Sequence, residues 1–431
     1  LTTDITYNPD FSQVESDIPQ NEVNKRYPIK YSEKRPFFLE GFDFFQTPIE
    51  LVYTRKIVNP QWGIKLTGKT GKITIGFLST VDESPPEIDI PGISDPLDMD
   101  SQKAAVNIFR LKRDLYSESY VGFTLIDKQM GNSWNSLSEN YNRVLGVDGL
   151  FKFKEYYRFN FHIVSSLSKV GDVNTGIVPA YQLTLSRISR HWDLYFYWKG
   201  LPADFDAASG FFMRKDIKSF HAQITYNFLP QTDMFVSISP RFEYRRIYNI
   251  DNVFTDEQFN FSSTIVGWRQ SRLWFCLYNK LETWEGIIFR QRSFRANLIS
   301  NPFSWLSGNL ILSFGDGIYY TESPYLGYKI ELSGNMTIKP MSNFQLFYNF
   351  SRNRFFKERG GEEVYIINII SQHIRFQFSR YFSLRLITDF NDYDKNLYNS
   401  FLFSYEYRPG TVLYLGVDDS QEKNDSGIFR S

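Results

Sequence analysis

Long stretches of the chain alternate strictly between apolar and polar positions. In Val236-Ser237-Ile238-Ser239-Pro240-Arg241-Phe242-Glu243-Tyr244-Arg245 the even positions are apolar or aromatic and the odd ones polar or charged. The same alternation runs through Tyr157–Ile163, Asp193–Lys199, Asn343–Phe350 and Phe401–Arg408. Successive strand side chains point to opposite faces, so each segment has one apolar and one polar face. Helical periodicity is nearly absent. Many segments run to about ten residues or more, beyond the usual five or six of soluble strands and matching a tilted strand that crosses a membrane. Their apolar faces are rich in Phe, Tyr and Trp, often towards strand ends, as membrane-interface girdles require.

Short turns are expected near Lys69–Lys72, Tyr116–Ser119, Lys154–Tyr156, Arg190–His191, Pro230–Asp233, Gln270–Ser271, Pro302–Ser304, Pro340–Ser342, Arg380–Tyr381 and Pro409–Gly410. Longer polar loops fall between them at Asp82–Gln102, Tyr248–Glu257, Arg352–Glu363, Asn391–Asn396 and Asp418–Ser426. Short connections alternating with long ones fit periplasmic turns and external loops. Two strands per interval give eighteen, and the flanks raise the expectation to about 20, within a range of 18 to 24. The expected fold class is all-β: a transmembrane antiparallel β-barrel with a short plug-like segment near its N-terminus. Residues 1–8 are expected as the first barrel strand, 9–49 as an irregular lumenal plug, and 50–431 as the rest of the barrel. The chain ends in Ile428-Phe429-Arg430-Ser431, a loop-like stretch, so a closing strand is expected beyond Ser431.

Composition narrows the alternatives. Aromatics make up 18% of the 431 residues, with 41 Phe and 28 Tyr, and favour strands. Lys and Arg (48) balance Asp and Glu (48), which gives no electrostatic case for nucleic acid as a partner. The single cysteine, Cys276, excludes an internal disulfide framework and reads as a small apolar strand residue. No apolar run is long enough for a membrane-spanning helix. The negative mean hydropathy is compatible with a barrel, half of whose strand residues face a polar lumen. No signal peptide precedes Leu1-Thr2-Thr3-Asp4, so the chain reads as a mature or trimmed fragment.

Residues 9–49 break the alternation. Pro9, Pro19, Pro28, Pro36 and Pro48 preclude a regular ladder, and charges cluster with aromatics around Glu33-Lys34-Arg35-Pro36-Phe37-Phe38-Leu39-Glu40-Gly41. A barrel of this size encloses a wide lumen, commonly obstructed by an inserted segment. Asp10, Glu15, Glu33, Lys34, Arg35, Phe37, Phe38 and Glu40 are therefore the candidate plug or constriction residues; a periplasmic or external loop is the plainer reading. The insert is too short to be the plug domain of a TonB-dependent transporter.

The motifs Asn8-Pro9-Asp10-Phe11-Ser12-Gln13-Val14-Glu15, Glu33 to Gly41, Tyr53-Thr54-Arg55-Lys56-Ile57 and Lys65-Leu66-Thr67-Gly68-Lys69 resemble one family closely. It is an uncharacterised family of Bacteroidota outer-membrane proteins in which a barrel follows a periplasmic carbohydrate-binding module of the family-nine type. The resemblance covers residues 1 to about 80. It implies an outer-membrane barrel with a periplasmic sugar-binding-like domain as partner, and implies no activity. Where the family often reads Ser-Arg-Arg-Ile-Gly, the glycine is Val58 here, so a shared tight turn is not implied.

Candidate chemistry is sparse. His162, His191, His221 and His373 lie on four predicted hairpins without ligand spacing, so no metal is expected. His162 shares the polar face of its strand with Arg158 and Asn160. A Ser/His dyad across neighbouring strands has no local signal. No phosphate-cradling loop exists; Gly315-Asp316-Gly317 and Gly360-Gly361 read as loop punctuation, and Glu362-Glu363 and Asp418-Asp419 as solvated loop carboxylates. No cofactor and no catalytic residue is assigned. Alternation makes Arg158, Asp193, Lys199, Arg241, Glu243, Arg245, Arg385 and Asp389 candidate lumen-lining residues. They would either hold the interior by ion pairs or line a pathway for an anionic or saccharide-like solute. The expected function is a porin-like channel or transport barrel in contact with outer-membrane lipid and lipopolysaccharide. The alternatives are an anchor or scaffold for the periplasmic module or for envelope partners and, behind both, an outer-membrane hydrolase.

Overall fold

The computed structural model describes residues 1–11, 14, 17–86, 88, 103–116, 118–131, 140–230, 232, 234–408, 411–423 and 429–430. Twenty-two strands and four short helical turns are present among them, and no helix there is long and apolar enough to cross a membrane. The chain divides into two units. The first comprises Leu1–Glu15, Tyr27–Gln223 and Arg245–Thr255, the second Ser16–Arg26, Ile224–Tyr244 and Asp256–Ser431.

In the first unit, β1 (Thr2–Tyr7), β2 (Pro60–Thr70), β3 (Ile73–Asp82), β4 (Lys103–Asp114), β5 (Tyr120–Gly131), β6 (Asn140–Phe153), β7 (Tyr157–Val170), β8 (Val173–Ile188) and β9 (Trp192–Leu201) pair antiparallel in chain order. The division between units falls within β10 (Ile217–Tyr226), β11 (Phe235–Tyr248) and β12 (Phe254–Gly267). In the second unit β12 is followed by β13 (Arg272–Trp284), β14 (Ile287–Phe303), β15 (Leu306–Tyr319), β16 (Tyr325–Met341), β17 (Phe344–Phe356), β18 (Glu363–Gln377), β19 (Phe382–Asn391), β20 (Asn396–Arg408), β21 (Thr411–Lys423) and β22 (Phe429–Arg430), again antiparallel neighbours in order.

The burial pattern is inverted relative to a soluble sheet. In β5, β6 and β7 the cross-strand pairs Leu125↔Leu145 and Val147↔Ile163 stand on the bare face, with Leu145 50% and Ile163 56% exposed. The pairs Lys128↔Asn142 and Asp148↔His162 are on the opposite face and buried. The second unit shows the same sense: Leu273 and Leu277 of β13 are exposed, while Cys276 and Glu282 are buried. A soluble protein places its apolar face inside.

The non-strand segments of the first unit cover the face that carries these buried polar side chains, which bears apolar ones between them. Phe38, Phe45, Ile49, Leu51, Val52 and Ile57 form one apolar cluster with Leu78, Val106, Ile108, Ile126, Val144 and Val164 of the sheet and Phe205 from the β9–β10 connection. Each such side chain contributes roughly 1.5–3 kcal/mol on burial. Gly63 and Gly76 make room for this packing: a Cβ at either would lie 3.0 Å from the ring of Phe37 or Phe45. The one-turn helix α1 (Pro36–Leu39) begins at a proline, whose fixed φ suits the first helical position, and ends with the Glu40 N–H donating to Pro36 O.

Several loop expectations are revised. Gly315-Asp316-Gly317 lies inside β15, and Asp418-Asp419 inside β21, where Tyr398 Oη donates to Asp418 at 3.1 Å. Adjacent strand residues point to opposite faces, so a polar face takes only one of Asp418 and Asp419, and their loop-like composition conceals the strand. The β7–β8 and β13–β14 connections are two-residue turns, Gly171-Asp172 and Glu285-Gly286, with positive φ at Gly171, Glu285 and Gly286. They interrupt the expected run of long connections. Pro409–Gly410 and most of Asp82–Gln102 fall outside the described residues; within the latter, Ile88 joins the apolar cluster.

Candidate functional site

A segment without regular structure must satisfy its backbone polar groups elsewhere. Here the polar face of the sheet does so. Lys65 Nζ donates to Phe37 O (2.6 Å) and Glu40 O (2.7 Å) and lies 3.1 Å from Asp4. Asp82 accepts from the N–H groups of Val58 (2.8 Å) and Asn59 (2.7 Å), and His162 Nδ1 from that of Ile49 (3.1 Å). Asn142 donates to Asp206 O (2.9 Å) and accepts from Ala208 N–H (2.9 Å). Beneath these contacts Arg110 grips Asp148 through both guanidinium ends, at 2.5 and 2.8 Å, and also donates to Thr124.

The candidate plug residues divide. Glu33, Arg35, Phe37 and Phe38 are drawn together, while Glu40 is exposed and offers its backbone carbonyl to Lys65. Glu33 accepts from Arg35 Nη2 (2.8 Å) and Thr54 Oγ1 (2.7 Å), while Arg35 donates to Ile57 O and Thr54 O and lies 4.4 Å over the Phe38 ring. Burial alone would raise the Glu33 carboxyl; the hydrogen bonds from Arg35 and Thr54 outweigh it and hold the group down to about 2. Lys34 is half-buried, Asp10 is exposed, and Glu15 lies outside the described residues.

The lumen candidates are scattered. Arg158 pairs with Glu118 at 3.2 Å, Asp193 accepts from Ser189 N–H at 3.0 Å, and Arg241 donates to Thr225 at 3.2 Å. Glu243 and Arg385 are half-buried in β11 and β19. Only Lys199 and Arg245 share a site: both line a cavity of about 820 Å³ in the first unit. Lys30, Glu50 and Arg214, which the alternation could not reveal, complete its charges. Lys30 bonds both Glu50 oxygens, at 2.5 and 2.6 Å, and Arg214 donates to Tyr27 Oη at 3.2 Å. Tyr195 and Tyr197 line the wall from β9, with Tyr195 packed on His221 at 5.4 Å.

Asp389 has a different neighbourhood. It accepts a short hydrogen bond from Ser371, its register partner, and Ser371 Oγ is 3.1 Å from His373 Nε2. The distance between serine and histidine satisfies a hydrolase, but the order does not. In a nucleophilic triad the carboxylate orients the histidine through the nitrogen remote from the serine. Here Asp389 approaches the same Nε2, at 3.8 Å, and itself accepts the hydroxyl's hydrogen bond. The i, i+2 spacing of Ser371 and His373 was the available sequence signal.

A family described as a domain of unknown function (DUF5916) matches residues 1–82. No functionally curated protein matches the chain. Among solved structures, the ferric enterobactin receptor of Pseudomonas aeruginosa in complex with enterobactin aligns at 9% identity and a TM-score of 0.51, covering 83% of this chain and 72% of the receptor. Its complex with BCV-L6 gives 10% identity with the same score and coverage. The FrpB iron transporter of Neisseria meningitidis aligns at 9% identity and a TM-score of 0.48, covering 83% and 74%. At such identity the likeness to the enterobactin receptor is one of fold.

Proposed function

We propose that this chain is an outer-membrane β-barrel of transport type, whose lumen is narrowed by the segment before β2 and which passes a polar or saccharide-like solute. The observation that carries this reading is the burial pattern: aliphatic and aromatic side chains on the bare face, and Lys65, Asp82, Arg110, Asn142, Asp148 and His162, beside the apolar cluster, on the covered one. An apolar surface of that extent suits lipid, including the acyl chains of lipopolysaccharide, while charged side chains turned inward suit a polar interior. The receptor-like fold supports the same architecture. Residues 1–82 would belong to a Bacteroidota outer-membrane family whose members carry a periplasmic carbohydrate-binding-like domain, here a partner in cis.

Conductance in planar bilayers tests this. Wild type should show low or intermittent conductance, and deletion of residues 9–49 should enlarge it several-fold. Electrical silence of both proteins would refute the pore. The apolar cluster that fixes the segment to the sheet also favours a second reading, a closed barrel serving as anchor, and the silent outcome would select it.

A further inference from the structure

The cavity in the first unit has a composition that the wall of a water-filled pore does not require. Four cationic side chains, Lys30, Lys199, Arg214 and Arg245, face it against one carboxylate, Glu50. Its volume, about 820 Å³, lies within the range of small-molecule sites. The polar heads are interleaved with the rings of Tyr27, Tyr195, Tyr197 and Phe211 and with the amides of Gln182 and Gln223. Lys30 is held on Glu50 and lies 5.8 Å from the ring centres of both Tyr53 and Phe211, so this cation is ion-paired beside two aromatic rings. Tyr197 donates to Gln182 at 3.4 Å, a long bond that a better acceptor would displace.

We propose that this cavity binds a short acidic saccharide, two or three sugar units bearing carboxylates. Aromatic faces stack against the C–H faces of pyranose rings. The amides and phenols match ring hydroxyls, and the cationic side chains match carboxylates through charge-assisted hydrogen bonds. Lys199 and Arg245 come from β9 and β11, whereas Lys30 and Arg214 come from non-strand segments, so a ligand bearing two charges would bridge wall and insert. The inference rests on the proposed transport reading for its biological sense, but the binding itself does not depend on a pore.

Isothermal titration of the full chain in detergent, with di- and trigalacturonate as probes, tests the site. Binding is expected, with neutral maltotriose at least about tenfold weaker and affinity falling as salt rises. Lys199→Gln and Arg245→Gln should each weaken galacturonate binding about tenfold or more and leave maltotriose unchanged, while Lys199→Arg retains most of the affinity. Heat-modifiable gel mobility of each variant establishes that it has folded. Equal binding of the neutral and acidic sugars, or no binding by folded wild type, overturns the proposal. So does preferential binding of phthalate, a non-sugar aromatic diacid. A conducting chain that ignores galacturonate would leave the transport reading standing and remove the site. A silent chain that binds it would do the reverse.

Discussion

Replacement of Lys65 by methionine tests how the irregular segment is held to the sheet. The side chain is 2% exposed, and its ammonium donates to two backbone carbonyls, Phe37 O and Glu40 O, at 2.6 and 2.7 Å. Methionine keeps much of the aliphatic stem and removes both bonds. Hydrogen bonds to a charged group are worth about 1.5–3 kcal/mol each, a gross loss of roughly 3–6 kcal/mol. Removing a buried ammonium also relieves its desolvation, which is worth several kcal/mol and cancels part of that loss. Asp4 is 27% exposed and stays hydrated without its partner, so it adds little. The net expectation is about 1–3 kcal/mol, confined to residues around α1. A local opening of about 2 kcal/mol raises the open population roughly thirtyfold, and with it the rate of chymotryptic cleavage at Phe37 and Phe38. The temperature at which the gel mobility of the folded form is lost should change little. Unchanged cleavage in the Lys65→Met variant would refute the reasoning. So would an equal increase in Asp4→Asn, because the exposed ion pair would then outweigh the two carbonyl bonds.

Arg110→Met leaves Asp148 buried without its bidentate partner and should destabilise the fold by about 3–5 kcal/mol in urea unfolding, whereas the double variant Arg110→Met/Asp148→Leu should recover most of that loss. His162→Phe deprives the Ile49 N–H of its acceptor and should cost about 1–3 kcal/mol, read as faster amide exchange at Leu51 and Val52 than in wild type. The Glu33 carboxyl, held near 2 against an ordinary 4.5, contributes stability that is complete above about pH 4.5 and is lost as pH falls towards 2. That contribution is at most about 3 kcal/mol. Acid-induced proteolysis of the segment should therefore follow this titration in wild type and flatten in Glu33→Gln. Arg26→Met removes the contacts to Asp256 and Glu282 in the second unit, at 3.1 and 2.6 Å, and should speed proteolysis near Asn24 without altering the first unit.

The strands were legible because a sheet with one apolar and one polar face writes its period of two directly into the sequence. That period also selected Lys199 and Arg245, which the cavity brings together. It could not select Lys30, Glu50 or Arg214, since side chains in irregular segments are placed by tertiary packing rather than by a local repeat. The tight turns at Gly171-Asp172 and Glu285-Gly286 did carry a signal, glycine beside an acidic residue, but the expectation of long external loops obscured it. The Ser371–His373–Asp389 contact escaped because Ser371 and Asp389 are register partners eighteen residues apart, and register is not visible in either strand alone.

The position of the irregular segment within the chain has a kinetic consequence. β1 pairs with β2 through six residue pairs, but residues 8–59 lie between the paired strands. Closing a flexible loop of that length carries an entropic penalty on the order of 3–4 kcal/mol plus a constant, whereas the two-residue hairpins elsewhere close almost without one. β1 can therefore join the sheet at low cost only after the loop has collapsed onto Leu78, Val106 and their neighbours. β1 would then be zipped in place later than the strands joined by two-residue hairpins, so its amides report whether the insert is seated.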